Sequence, residues 1–184
     1  MLDGEKNLIK HAIKGEAQAF GLLYDHYQPQ IYRFIYLKVG LREEAEDLTH
    51  QVFLQGFEKI IEYRFEGFPF SSWLYRIARN EIIDYYRTKK IHIDLEEVVN
   101  NELEETGDDD LSKIIDQNLD LARVEEALRC LNQIEQDIVI LRFVEELSPD
   151  EVARILEKKP ENVRLLQHRA IQKLKKTLNV KTEA

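Results

Sequence analysis

The chain has 184 residues and a formal net charge of −9, from 26 Lys and Arg against 35 Asp and Glu. That length suits one medium domain or two small ones; the single cysteine, Cys130, excludes an intramolecular disulfide, and no CxxC or His/Cys cluster offers a structural zinc site. No apolar run has the length of a signal peptide core or a membrane span, so a cytoplasmic location without membrane insertion is expected.

The charge is unevenly spread. Residues 1–93 hold 13 basic and 13 acidic side chains, residues 94–120 hold 1 and 11, and residues 121–184 hold 12 and 11. The deficit therefore sits in the middle, and a local basic patch sets the field that a phosphate backbone would meet at close range.

Glycine and proline are sparse and apolar residues recur at three and four, which predicts an all-α fold without strands. A first helix is expected over Glu5 to Gly15 and a second from Ala17 through His26, with Pro29 opening a third at its first turn. A fourth spans Arg42 to Ile61, where Leu48, Val52, Phe53, Phe57 and Ile60 form one apolar stripe and Glu43, Glu44, Glu46 and Asp47 suit the helix dipole. Gly67 and Pro69 mark a loop from Tyr63 to Phe70. Ser71 or Ser72 then caps a long helix to Lys90. On its wheel, Leu74, Ile77, Ala78 and Tyr85 share one face, and Arg76, Arg79, Asn80, Ile83, Arg87 and Lys90 share the opposite one.

The stretch Tyr63 to Lys90, YRFEGFPFSSWLYRIARNEIIDYYRTKK, interleaves aromatic rings with Arg64, Arg76, Arg79, Arg87, Lys89 and Lys90. Rings that stack on unpaired bases, beside cations that hold phosphates, are the composition of a single-strand-binding surface. A buried aromatic core is the competing reading. It is preferred for Trp73, which should support the loop, and for Phe20, Tyr24, Tyr32, Phe34, Phe53 and Phe57.

Residues 94–110, DLEEVVNNELEETGDDD, carry nine acidic side chains and no basic one. Like-charge repulsion and little apolar surface read as a flexible acidic linker, and its DDD run as a solvated spacer and not a metal site. Beyond it only Phe143 is aromatic. The expected organisation is two small helical domains, 1–93 and 118–184, joined by a linker at 94–117.

The second domain opens with a helix from Asn118 to Leu131, in which Cys130 is expected as a small core residue. Asn132 and Glu135 form a capping-box pattern for a helix to Val144. Ser148-Pro149-Asp150-Glu151 heads a short helix ending near Leu156, and Pro160 starts a longer one to Leu178 with Val163, Leu166, Ala170, Leu174 and Leu178 inward. A short helix, a tight turn and a long basic helix make a helix-turn-helix, whose second helix reads the major groove. Asn162, Arg164, Leu165 and His168 are the candidate base readers: Arg164 can pair with guanine and Leu165 can touch a thymine methyl. Arg169, Lys173, Lys175 and Lys176 are placed for phosphates.

Three motifs in order resemble the extracytoplasmic-function sigma factors of the bacterial sigma-70 family. DLTHQVFLQGF at Asp47 to Phe57 is similar to that family's polymerase-clamp helix, and SSWLYRIARNEIIDYYR at Ser71 to Arg87 to its promoter-melting helix. LNQIEQDIVILRFVEELSPDEVARIL, followed by NVRLLQHRAIQKL, is similar to its C-terminal helix-turn-helix. The resemblance implies a transcription initiation factor with core RNA polymerase and promoter DNA as partners, and an anti-sigma protein as regulator. It implies polymerase contacts by Asp47, Leu48, His50, Gln51, Phe53 and Leu54. It further implies capture of a flipped minus-ten base by Tyr63, Arg64, Phe65, Phe68 and Phe70 with Arg76, Arg79, Asn80 and Arg87, and minus-thirty-five recognition by Asn162, Arg164, Leu165, His168, Arg169 and Lys173.

The chain departs from the family pattern in a loop one residue short around Gly67, in Gln51 where a carboxylate is usual, and in Glu157 at the usual turn glycine. A promoter sequence therefore does not transfer. A helix-turn-helix regulator acting without polymerase, or a helical scaffold with no nucleic-acid role, are the alternative readings. No cofactor, metal or enzymatic activity is expected, since the sequence has no glycine-rich phosphate loop and no nucleophile with a paired base.

Overall fold

The computed structural model describes residues 4–65, 67–96, 124 and 126–182. Every regular element among them is helical: α1 (Glu5–Ile13), α2 (Ala17–Val39), α3 (Arg42–Lys59), a 3-10 turn (Ile60–Glu62), α4 (Phe70–Glu96), α5 (Gln133–Val139), a π turn (Ile140–Val144), α6 (Pro149–Ile155) and α7 (Pro160–Thr182). Helix α4 runs past the expected end at Lys90 to Glu96 and takes in the first three residues of the expected acidic linker; residues 97–117 lie outside the described residues.

The two helices expected on either side of Pro29 are one, α2, with the proline inside it. An interior proline costs about 3 kcal/mol. Here Leu23, Tyr27, Ile31, Phe34 and Ile35 continue a single buried stripe through that position, and their burial outweighs the lost backbone bond. Gly40 ends α2 at φ 73°, its N–H donating to the Tyr36 carbonyl at 2.8 Å. A left-handed residue there suits glycine and lets α3 turn back antiparallel.

Helices α2, α3 and α4 pack face to face around Phe34, Val52, Leu74 and Ala78. Buried Glu5 ties α1 to this bundle: its Oε1 accepts from the Tyr27 hydroxyl at 2.7 Å and from the Phe70 N–H at 3.2 Å. Phe57, expected in the core, is half exposed at the rim, with its ring edge against Phe20.

In the C-terminal domain both predicted capping boxes form. Asn132 Oδ1 accepts from the Glu135 N–H at 2.9 Å while Glu135 Oε2 accepts from the Asn132 N–H at 3.0 Å. Ser148 and Glu151 make the same reciprocal pair. The helix expected to run unbroken to Val144 loosens into a π turn after Val139. Cys130 is exposed, contrary to expectation, because the chain leaves its helical turn there; its thiol reaches only the Ala127 carbonyl.

Helix α6 ends in a Schellman arrangement: Lys158 N–H donates to the Ala153 carbonyl at 2.8 Å and Glu157 N–H to the Arg154 carbonyl at 3.4 Å. Its left-handed residue is Glu157, at φ 53°. The turn thus keeps the geometry that glycine favours while carrying a side chain. Val163 and Ala170 of α7 are fully buried, and Leu166 and Leu174 are partly so, as expected of that stripe; the Leu178 side chain, its last member, lies outside the described residues.

Candidate nucleic-acid and polymerase interface

Helix α7 presents Asn162, Arg164, Leu165, His168 and Arg169 to solvent along its first turns. Leu165 is 50 % exposed. Lys173 differs from its neighbours: its ammonium donates to both Glu135 oxygens, at 2.8 and 2.7 Å, and pins α7 to the α5 cap. Burial disfavours the charged Glu135, but the Lys173 and Asn132 hydrogen bonds and the Lys173 and Arg169 charges win, holding its carboxyl below the ordinary range. Lys173 is therefore a structural cation before it is a phosphate contact.

On α3, Asp47, His50, Gln51 and Leu54 are exposed, Leu54 at 60 %. Leu48 and Phe53, named with them from the sequence, are buried and unavailable to a partner, because both fall on the stripe that packs against α2 and α4. Phe53 meets Tyr24 edge to face at 4.7 Å between ring centres.

The loop before α4 divides in the same way. Tyr63 and Phe70 are buried and form a ring cluster with Trp73, each pair 5.3 Å between centres, so both hold the loop from behind. Arg64 and Phe65 are exposed, and Lys6 of α1 lies over the Phe65 ring at 4.9 Å. Phe68 is half buried. A cavity of about 150 Å³ opens between this loop, the first turn of α4 and Arg154 of α6.

Along α4, Asn80 and Arg87 are exposed. Arg79 is not a purely outward residue. Its Nε donates to Asp137 Oδ2 at 3.0 Å, across the junction of the two domains. The other Asp137 oxygen accepts from Lys38 Nζ at 2.7 Å, with both side chains 3 % exposed. Burial pulls the Lys38 ammonium below the ordinary lysine range, and Asp137 offsets part of that pull.

A second junction contact lies beside it. Arg33 clasps Glu145 through two bonds, 2.8 and 2.7 Å, while the Tyr75 hydroxyl donates to the same carboxylate at 2.9 Å. Tyr75 is fully buried, and burial followed by the Glu145 charge raises its phenol above the ordinary range. In both contacts the cations come from the N-terminal domain and the carboxylate from the C-terminal one. None of Lys38, Tyr75, Arg33, Asp137 or Glu145 was singled out from the sequence.

Two segments match known families: residues 23–91 match Sigma-70 region 2, and residues 127–176 match Sigma-70, region 4. Among curated relatives, the chain is 32% identical over 184 residues to the ECF RNA polymerase sigma factor SigW of Bacillus subtilis (strain 168), covering 94% of this chain and 96% of SigW. It is 36% identical over 174 residues to the ECF RNA polymerase sigma factor BldN of Streptomyces coelicolor, covering 93% of this chain but only 64% of the length of BldN. The chain belongs to the extracytoplasmic-function sigma factors of the sigma-70 family.

Solved structures share the fold. CnrH, in complex with the cytosolic domain of CnrY, superposes with a TM-score of 0.75 over 97% of this chain and 99% of that one, at 21% identity. RpoE in complex with the anti-sigma factor NepR, from Bartonella quintana, gives 0.69 over 88% and 97%, at 20% identity.

Proposed function

We propose that this chain is a transcription initiation factor that brings core RNA polymerase to specific promoters and assists their melting. The observation that carries the reading is the pair of exposed, chemically distinct faces, on α7 and on the loop with α4, set on a sigma-70 two-domain framework. Domain boundaries at 1–93 and 118–184, around a linker at 94–117, fit this division.

Polymerase contact is assigned to exposed Asp47, His50, Gln51 and Leu54, with Leu48 and Phe53 fixing the helix behind them. The minus-ten strand is assigned to Arg64, Phe65, Phe68, Arg76, Asn80 and Arg87, with Tyr63 and Phe70 supporting the loop. Arg79 joins that set once Asp137 exchanges for a phosphate, which requires the domains to part. The minus-thirty-five duplex is assigned to Asn162, Arg164, Leu165, His168 and Arg169. Rings beside guanidinium groups suit a base drawn out of its stack, because the base recovers stacking while the cations hold its strand. No bond is made or broken in this role, and the site of action is the cytoplasm. An anti-sigma protein that holds the two domains together is a fitting regulator.

Run-off transcription with core polymerase on a genomic promoter pool tests the reading. Asn80→Ala should impair opening more than closed-complex binding, and Arg164→Ala should weaken upstream recognition. Operator binding by the chain alone, without polymerase affinity, would overturn it.

A further inference from the structure

Helix α1 stands outside the segments that match the sigma-70 family, the first of which begins at residue 23. It is nevertheless built into the loop assigned to the minus-ten strand. Its body packs against the 3-10 turn that leads into the loop, and Glu5 accepts from the Phe70 N–H where the loop ends. Two helix N-termini, that of α1 itself and that of α4, converge on this carboxylate, so its burial is tolerated with neutral partners. Glu5 is 4 % exposed and fixes α1 at the loop, with the next residue turned outward.

That residue is Lys6. Its ammonium lies 4.9 Å from the centre of the Phe65 ring, which is 52 % exposed, and among the described residues it has no carboxylate partner. An exposed cation–π contact is worth only about 0.5–1 kcal/mol, so the ammonium is kept near the ring and free to take a stronger acceptor. Arg64, beside Phe65 in sequence, is turned back on its own chain, its guanidinium donating to the Ile61 and Tyr63 carbonyls at 3.3 and 3.2 Å. Lys6 is thus the cation that stands over Phe65. A base stacked on that ring carries its phosphate one sugar away, within reach of an ammonium on the same ring.

We infer that Lys6 is a nucleic-acid-binding residue, its ammonium taking a backbone phosphate of the unpaired promoter strand whose base stacks on Phe65. This inference rests on the function proposed above and extends the strand-binding surface from the loop and α4 to α1. Lys6 adds affinity without reading sequence, since the phosphate is common to every nucleotide.

The test uses the full-length chain with core polymerase and a fluorescein-labelled single strand carrying the sequence that wild type selects in run-off transcription. If wild type directs no transcription, the proposed function fails and this inference with it. Titrations across a range of salt concentrations give the dependence of log affinity on log salt, to which one phosphate contact on a single strand contributes a slope of about 0.7. Lys6→Met, which keeps the apolar stem, should make the dependence shallower by that amount. It should bind about fivefold more weakly at 0.1 M salt, with the difference closing near 1 M. Lys6→Arg should retain the wild-type slope, and base preferences in the transcript pool should be the same for all three proteins. Lys6 is exposed, so Lys6→Met should melt with wild type, which separates binding from folding. Lys14→Met is the control, because Lys14 is exposed and about 12 Å from Lys6 along the axis, beyond the screening length of about 10 Å. It should leave the slope unchanged. An unchanged slope in Lys6→Met, an equal change in Lys14→Met, or tighter binding by Lys6→Met, as a lysine that only covered the ring would give, overturns the inference.

Discussion

Asp137 is the residue whose removal should most change the shape of the molecule. It faces Lys38 Nζ at 2.7 Å and Arg79 Nε at 3.0 Å, and the Lys38 side chain is 3 % exposed. In Asp137→Ala the Lys38 ammonium would keep only the Gln133 carbonyl, at 3.1 Å, as a partner. Deleting one member of a buried ion pair costs about 3–5 kcal/mol, because the survivor stays charged and dry. Here the molecule has a cheaper course, since parting the two domains returns Lys38 to water. At about 1.4 kcal/mol per decade, the closed arrangement should lose more than a hundredfold in population. Cys130 is the chain's only cysteine and is exposed, so one dye can sit there and a second on Glu58→Cys of α3, also exposed. Energy transfer between them should fall in Asp137→Ala. It should be largely restored in Lys38→Met/Asp137→Leu, which replaces the pair with apolar groups of similar size. Unchanged transfer in Asp137→Ala would refute the assignment of this pair as the principal junction contact.

Three further outcomes follow from the geometry. Glu157→Gly should stabilise the C-terminal domain by roughly 0.5–1 kcal/mol in thermal melts, because a left-handed non-glycine residue costs about 1–2 kcal/mol and glycine returns part of that gain as chain entropy. The stabilisation from Glu135, whose folded carboxyl is depressed, should be fully present above the unfolded value of about 4.3 and be lost as pH falls through the folded value. Lys173→Met should flatten that acid limb in a titration followed by far-ultraviolet circular dichroism. Glu5→Ala should lower stability by about 2–3 kcal/mol in urea, since it strands the buried Tyr27 hydroxyl and the Phe70 N–H together.

Caps and periodicity made much of the fold legible. Asn132 with Glu135, and Ser148 with Glu151, stand three apart in sequence and meet as that spacing requires. The exposed turns of α7 were equally readable, because Val163 and Ala170 fix which face is left over. The two-faced wheel failed on α4, which has three environments: its own core, solvent, and the C-terminal domain. Tyr75 is buried against that third surface and Arg79 is bonded to it. Arg33 and Glu145 are 112 residues apart, and no local pattern carries that distance. Composition also could not separate rings that face a base from rings that build the wall behind it. Tyr63 and Phe70 proved to be wall, as burial of their rings is favoured wherever Trp73 is near. Pro29 misled for a related reason: its local cost is real, but five buried neighbours decide the outcome.

The π turn at Ile140–Val144 has an evolutionary reading. Such turns hold one residue more than the α-helix they interrupt, and here the Glu145 N–H donates five residues back, to Ile140, at 3.0 Å. Deleting one residue from the turn would restore α-helical register and swing Glu145 by about 100° around the axis, away from Arg33 and Tyr75. Both helices of the DNA reader, with their caps, lie downstream and would survive the deletion. A descendant that lost this single codon would keep its reading head and discard one of the two ionic contacts that close it.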